Sequence, residues 1–116
     1  MKKMIFVFLI CLLPLSLAAG DGHLQAEIDH LIQSIQSSNC AFIRNGETHS
    51  SAEAIEHILR KYEHFKDRIQ TAEDFIQYCA SKSLLSKQPY QIKCADQGIV
   101  ESRLWFLDEL NRYRGQ

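Results

Sequence analysis

Asn45-Gly46, set between Cys40-Ala41-Phe42-Ile43-Arg44 and Glu47-Thr48-His49, leaves the backbone little choice. Both positions of a two-residue hairpin loop need positive φ, and Asn-Gly is the pair that tolerates it best. Pairing across the loop sets Arg44 opposite Glu47, Ile43 opposite Thr48 and Phe42 opposite His49. Side chains alternate along a strand, so Cys40, Phe42, Arg44, Glu47 and His49 share one face. Ser50 then reads as an N-cap, with Glu53 three residues on completing a capping box. Ile55, Ile58, Leu59, Tyr62, Phe65 and Ile69 recur at helical spacing and predict one apolar stripe. His57, Lys61, His64 and Arg68 fall on a second stripe. Glu56, Arg60, Glu63 and Asp67 fall on a third, mixed in charge and expected in water.

The N-terminus carries Lys2 and Lys3, an apolar run from Met4 to Leu17, then small residues through Gly20. That is the pattern of a secretory signal peptide, expected over residues 1–19 with one domain over 20–116. The run is shorter than the ~20 residues a membrane span needs and contains Pro14, so no stable span is expected after cleavage. Cys11 lacks a small residue before it, which argues against lipid attachment there. Of the 13 Lys and Arg, 11 remain once Lys2 and Lys3 are removed; against 14 Asp and Glu the net charge is near −3. A nucleic-acid binder should carry a basic footprint, so that class is set aside.

Leu24, Ile28, Leu31, Ile32 and Ile35 predict an amphipathic helix from Leu24 to Ser37, frayed over Gly20 to His23 and ended by Asn39. Thr71 caps a later helix, with Asp74 in the box position and Phe75, Ile76, Cys79 and Ala80 on its apolar side. Residues 81–87 read as a polar-ended loop, and Pro89 forces Gln88 out of helical geometry. Tyr90 to Cys94 alternates as a strand, Ala95 to Gly98 turns, and Ser102 caps a last helix with Leu104, Trp105, Leu107, Leu110 and Tyr113 for its buried side. The expected fold is α+β, in the order α-β-β-α-α-β-α. It has about four helices and a three-stranded antiparallel sheet covered mainly on one face, with the hairpin's second strand as an exposed edge.

Three cysteines remain after export, Cys40, Cys79 and Cys94, and an odd count in an oxidising compartment leaves one spare thiol or an intermolecular bridge. An antiparallel pairing of Tyr90–Cys94 with Cys40–Arg44 brings Cys40 to Cys94, Phe42 to Ile92 and Arg44 to Tyr90. Cys40–Cys94 is the preferred disulfide on that register, and Cys79–Cys94 is the alternative. Cys79 on an apolar helix face reads as a small buried hydrophobe rather than a reactive thiol.

No zinc-protease His-Glu-x-x-His, phosphate-cradling glycine loop, Ser-x-x-Lys or Gly-x-Ser-x-Gly occurs. Glu53 and His57, one turn apart, and His49 fall short of a zinc site and read better as a cap with an ion-pair stripe, so neither metal nor cofactor is expected. The stronger candidate is polar. The register puts Arg44 and Tyr90 at the turn end of the sheet, the loop of Ser81, Ser83 and Ser86 leads there, and His57 and Lys61 look across from the helix if its packing turns them inward. Such a cluster suits an anionic or carbohydrate-like ligand. The plainer alternative pairs Arg44 with Glu47 across the turn and leaves the serines in solvent.

Phe42-Ile43-Arg44-Asn45-Gly46, Glu53-Ala54, His57, Lys61, Thr71-Ala72-Glu73-Asp74-Phe75-Ile76, Ala80-Ser81-Lys82-Ser83 and Pro89-Tyr90 together resemble the YfeK-like family of small exported bacterial proteins, a domain of unknown function. The resemblance runs from about Cys40 to Arg114. It implies an exported one-domain protein and directs attention to Arg44, Asn45, His57, Lys61, Ser81, Ser83 and Tyr90, the polar positions of those blocks. The family pattern has a glycine two residues before the Pro-Tyr pair where this chain has Lys87, so the loop need not adopt the same turn. The expected function is a periplasmic binding or interaction module without catalysis, its ligand or envelope-protein partner unidentified. Two alternatives stand beside it: a small envelope-polymer hydrolase or transferase using His57 with Ser81 or Ser83, and an accessory protein that takes a partner by strand addition along Glu47–His49.

Overall fold

Ile28, Leu31 and Ile35, spaced three and four apart, form the buried seam of the first helix, α1 (Ile5–Ser38). The structure, a computed structural model, describes residues 22–115 in full and only the backbone of residues 5–21. The expected signal peptide, residues 1–19, lies outside the fully described residues. Helix α1 runs unbroken through Gly22 and His23, where a frayed start was expected. Pairs one turn apart brace this stretch: His23 lies 3.4 Å from Glu27, and Gln25 donates to Asp29 at 2.8 Å. Asn39, at φ 60°, ends the helix in the left-handed region, as its residue type suggested.

The hairpin forms in the expected register. β1 (Ala41–Arg44) and β2 (Glu47–His49) pair antiparallel with Phe42 opposite His49 and Arg44 opposite Glu47. Asn45 and Gly46 both take positive φ, 51° and 81°. β3 (Gln91–Lys93) lies antiparallel on the other side of β1, Phe42 opposite Ile92. That register brings Cys40 to Cys94, which form a disulfide with a Cα separation of 4.4 Å.

The sheet has four strands rather than three. Ile99–Glu101, between the expected turn and the last helix, forms β4 and pairs with β3, giving the order β2-β1-β3-β4. Three exposed residues show no alternation of burial, so only the β-branched pair Ile99-Val100 after the Asp-Gln-Gly turn signals the strand. The last helix, α4 (Ser102–Tyr113), is capped by Glu101 without a side-chain bond. Ser102, expected as the cap, is instead buried inside the first turn, where its hydroxyl donates to Ala80 O at 2.7 Å. It shares the buried side with Phe106 and Leu110, whereas Leu104 and Tyr113, expected there, face solvent.

Ser50 caps α2 (Ser51–Phe65) through the expected box: Glu53 N donates to Ser50 Oγ at 3.2 Å and Ser50 N to Glu53 Oε1 at 3.0 Å. Thr71 caps α3 (Ala72–Cys79), Asp74 N donating to Thr71 Oγ1 at 3.0 Å, but the expected box does not close: the Asp74 carboxylate accepts from Gln70 N at 3.0 Å instead of Thr71 N. The rotation of α2 about its axis differs from expectation. Its buried seam is Ala54, Ile58 and Lys61, while Leu59 is 43 % exposed. The hydrophobic pattern alone favours Leu59 inward, but α2 packs against β1 and β2, and its buried seam ends in a lysine that reaches Tyr90. Ile55, Tyr62 and Phe65 remain half-buried against the core.

Phe42 and Ile92 point from the sheet into a core completed by Ile58, Phe75, Ile76 and Phe106 from the helices. Between α3 and β3, residues 81–90 form a tight loop. Tyr90 N donates to Ser81 O at 2.9 Å, Ser83 N to Gln88 O at 3.0 Å and Lys87 N to Ser83 O at 3.1 Å. Lys87 has φ 65°, the left-handed conformation that a glycine takes at no steric cost. Lys87→Gly is therefore expected to raise stability by up to about 1 kcal/mol, the relief of strain being partly offset by a freer unfolded chain. A urea midpoint that falls on this substitution would argue against strain at the position. Among the described residues no helix is long and apolar enough to cross a membrane.

Candidate functional site

Tyr90 is 1 % exposed, yet its hydroxyl ends at the floor of a cleft. The phenol precedes β3 and lies against Phe42, ring centroids 5.4 Å apart. From α2, one turn apart, His57 and Lys61 reach the same oxygen: His57 Nε2 at 2.8 Å and Lys61 Nζ at 3.2 Å. Lys61 also donates to Lys82 O at 2.9 Å and stands 4.9 Å from the centroid of the Tyr90 ring.

The chemistry of the three groups orients the chain of hydrogen bonds. An ammonium only donates, so Tyr90 Oη accepts from Lys61 and keeps its own proton for a second bond. A neutral His57 with its proton on Nδ1 takes that bond at Nε2. Its electrostatics agree: burial pushes the imidazole down to about 4, with Arg44, Lys61, Arg60 and His49 adding to the effect. Burial likewise lowers Lys61, and Arg44 adds to it. Burial raises the Tyr90 phenol, opposed by Arg44. Lys61 is 7 % exposed and has no carboxylate within 4 Å among the described residues. A buried ammonium without a counter-charge is unusual, because ion desolvation is costly unless something repays it.

The cleft above this floor has a volume of about 460 Å³. Arg44 and Asn45 line it from the hairpin, His57, Arg60 and Lys61 from α2, and Ser83, Leu84 and Leu85 from the loop. None of the lining residues is acidic. Arg44 makes no ion pair with Glu47 or any other carboxylate among the described residues, which removes the plainer alternative for it. The loop is pinned to the hairpin by Ser86 Oγ, which donates to Asn45 Oδ1 at 2.6 Å. Ser83 is buried, its hydroxyl accepting from Ser86 N at 3.3 Å.

Six of the seven sequence-selected polar residues thus meet: Arg44, Asn45, His57, Lys61, Ser83 and Tyr90. Ser81 stands apart. Its hydroxyl donates to Ile76 O at 2.7 Å, and it lines a different cavity, of about 490 Å³, with Pro89, Glu101 and Leu107. Sequence reasoning missed Arg60, assigned to the wet face of α2, and Leu84-Leu85, taken as part of a polar-ended loop. A leucine pair in a loop with no helical or strand period was the available signal for the latter.

Nucleophilic chemistry finds little purchase. Cys79 is fully buried in α3, and burial pushes its thiol up to about 12 although Lys61 acts the other way, so it stays protonated at neutral pH. His57 Nε2 is engaged by a phenol rather than a serine. Glu53 is committed to the cap of α2, and no group of three or more metal-ligating side chains occurs among the described residues.

The sequence itself matches a known family. Residues 22–114 fit the model described as "Family of unknown function (DUF5329)", and the chain belongs to that family. It is 35 % identical over 92 residues to the Salmonella typhimurium protein named "Uncharacterized protein YfeK", across 78 % of this chain and 77 % of that one. No solved structure matches the chain.

Proposed function

We propose that this protein is an exported, periplasmic binding module without catalysis, whose cleft takes the anionic group of a ligand. One observation carries the reading: Arg44, Arg60 and buried Lys61 converge on a cleft that no carboxylate lines, in a chain that is acidic overall once its N-terminal lysines are set aside. A structural lysine should have a carboxylate partner; an ammonium held without one offers its field to a ligand. Guanidinium forks and an ammonium match phosphate, sulfate and carboxylate oxygens, and the phenol adds a polar contact at the floor. Export is supported by the N-terminal charge and hydropathy pattern and by the Cys40–Cys94 disulfide, which suits an oxidising compartment.

Lys61→Met separates a binding role from a structural one. The side chains are similar in length, and losing a buried charge offsets the lost bonds to Lys82 O and Tyr90, so stability is expected to change by less than about 1 kcal/mol. Calorimetric titration with inorganic phosphate should nevertheless show at least tenfold weaker binding. Equal phosphate affinity in the two proteins would remove the cleft from consideration.

Strand addition has one observation in its favour, the edge position of β2. Glu47 and Thr48 leave that edge exposed but short, and Thr48→Pro would block pairing along it. The envelope-polymer hydrolase gains no support from the placement of Ser81 or from the bonding of His57.

A further inference from the structure

Leu85 is 96 % exposed and Leu84 is 52 % exposed, side by side at the rim of the cationic cleft. The loop that carries them is not loose. The Ser86–Asn45 bond ties it to the hairpin, and the bonds from Ser83 N to Gln88 O and from Lys87 N to Ser83 O close it on itself. A stiff loop that holds leucine in water, next to guanidinium groups that no carboxylate pairs with among the described residues, is matched to a surface that is anionic outside and apolar just beneath.

We propose that the hairpin end of the molecule docks on anionic phospholipid, with one lipid phosphate in the cleft between Arg44, Arg60 and Lys61 and with Leu84 and Leu85 entering the acyl boundary. This rests on the anion-binding reading of the cleft and names the source of the anion. A free anion would need the cations and leave the leucines without a purpose. A protein partner would need an apolar patch comparable to standard interfaces, which bury about 800 Å² on each side. Two loop-tip leucines supply far less, and the lipid headgroup and acyl boundary asks for no more than a basic pocket and a short apolar wedge.

The test uses the mature protein, with vesicles of phosphatidylglycerol and phosphatidylethanolamine, zwitterionic vesicles of phosphatidylcholine, and inorganic phosphate. Co-sedimentation should favour the anionic vesicles at least tenfold. Leu85→Ser should reduce partition onto them about tenfold, whereas Leu104→Ser, a leucine 50 % exposed on α4, should leave it unchanged. The His57 ring resonances should also move when phosphate alone is added. If phosphate moves them but anionic vesicles are ignored, the occupant is a small soluble anion and the lipid proposal falls while the cleft stands. If neither has an effect, the cleft reading falls as well. Equal partition of Leu85→Ser and the parent protein would overturn the wedge.

Discussion

Replacing Cys40 and Cys94 together with serine is expected to cost about 4 kcal/mol of folding stability. The bridge closes a loop across a sequence separation of 54 residues, and restricting the unfolded chain by that much is worth roughly this amount in the chain-entropy model. It also joins the start of β1 to the end of β3, the pair whose register sets Arg44 beside Tyr90. Urea unfolding of the double variant, beside the parent in oxidised and reduced forms, measures the effect. A loss below about 1 kcal/mol would mean that the strands hold their register without the bridge. Cys79 should remain unmodified by alkylating agents in all folded forms, since it is buried and its thiol stays protonated.

The second large effect is expected where α1, α3 and the end of α4 meet. Arg114, just past α4, donates to both oxygens of Glu27 on α1, at 2.7 and 2.9 Å, and to both oxygens of Glu73 on α3, at 2.6 and 3.2 Å. Glu27 is almost wholly buried, and its hydrogen bonds to Arg114 hold its carboxyl below the usual carboxylate range. Arg114→Ala would leave that carboxylate facing the carboxylate of Glu73, with His23 as its remaining basic neighbour, at a cost of about 3 kcal/mol. The sign of the pH dependence follows. Because the folded pKa of Glu27 is depressed, the pairing stabilises the parent above the ordinary carboxylate pKa and is lost as pH falls through the folded value. The gap between variant and parent should therefore narrow in acid, as the orphaned Glu27 takes up a proton. A gap independent of pH would point to lost packing rather than lost pairing.

Much of the fold was legible because local geometry leaves few options. Asn45-Gly46 dictates the hairpin, Ser50 and Thr71 announce their helices, and the alternation of Tyr90, Ile92 and Cys94 selects the register that also chooses Cys40 as the disulfide partner. β4 was not legible, since three exposed residues carry no period. Nor was the rotation of α2. Periodicity weighs Leu59 above Lys61, and only the packing of the helix against the hairpin strands and Tyr90 reverses that order. The candidate site divides in the same way. Arg44 and Tyr90 followed from strand register and His57 and Lys61 from helix spacing. The side on which a loop serine emerges depends on turns that sequence does not encode locally, so Ser83 joins the cleft and Ser81 does not.

The charge state of His57 tests the cleft most directly. In the free protein the imidazole is held near 4, below its ordinary value of about 6.5, by burial and by the surrounding cations. The folded state therefore binds fewer protons than the unfolded one between those values, and the stability of the free protein should fall as pH drops through the window. A bound anion opposes the cations, raises the imidazole pKa and makes anion affinity increase as pH falls through the same range. The decisive measurement is an NMR titration of the His57 ring with and without saturating inorganic phosphate. An upward shift of a unit or more is expected with phosphate, and it should disappear in Lys61→Met. An imidazole that titrates at the same pH in both conditions would contradict the assignment of this cleft as an anion site.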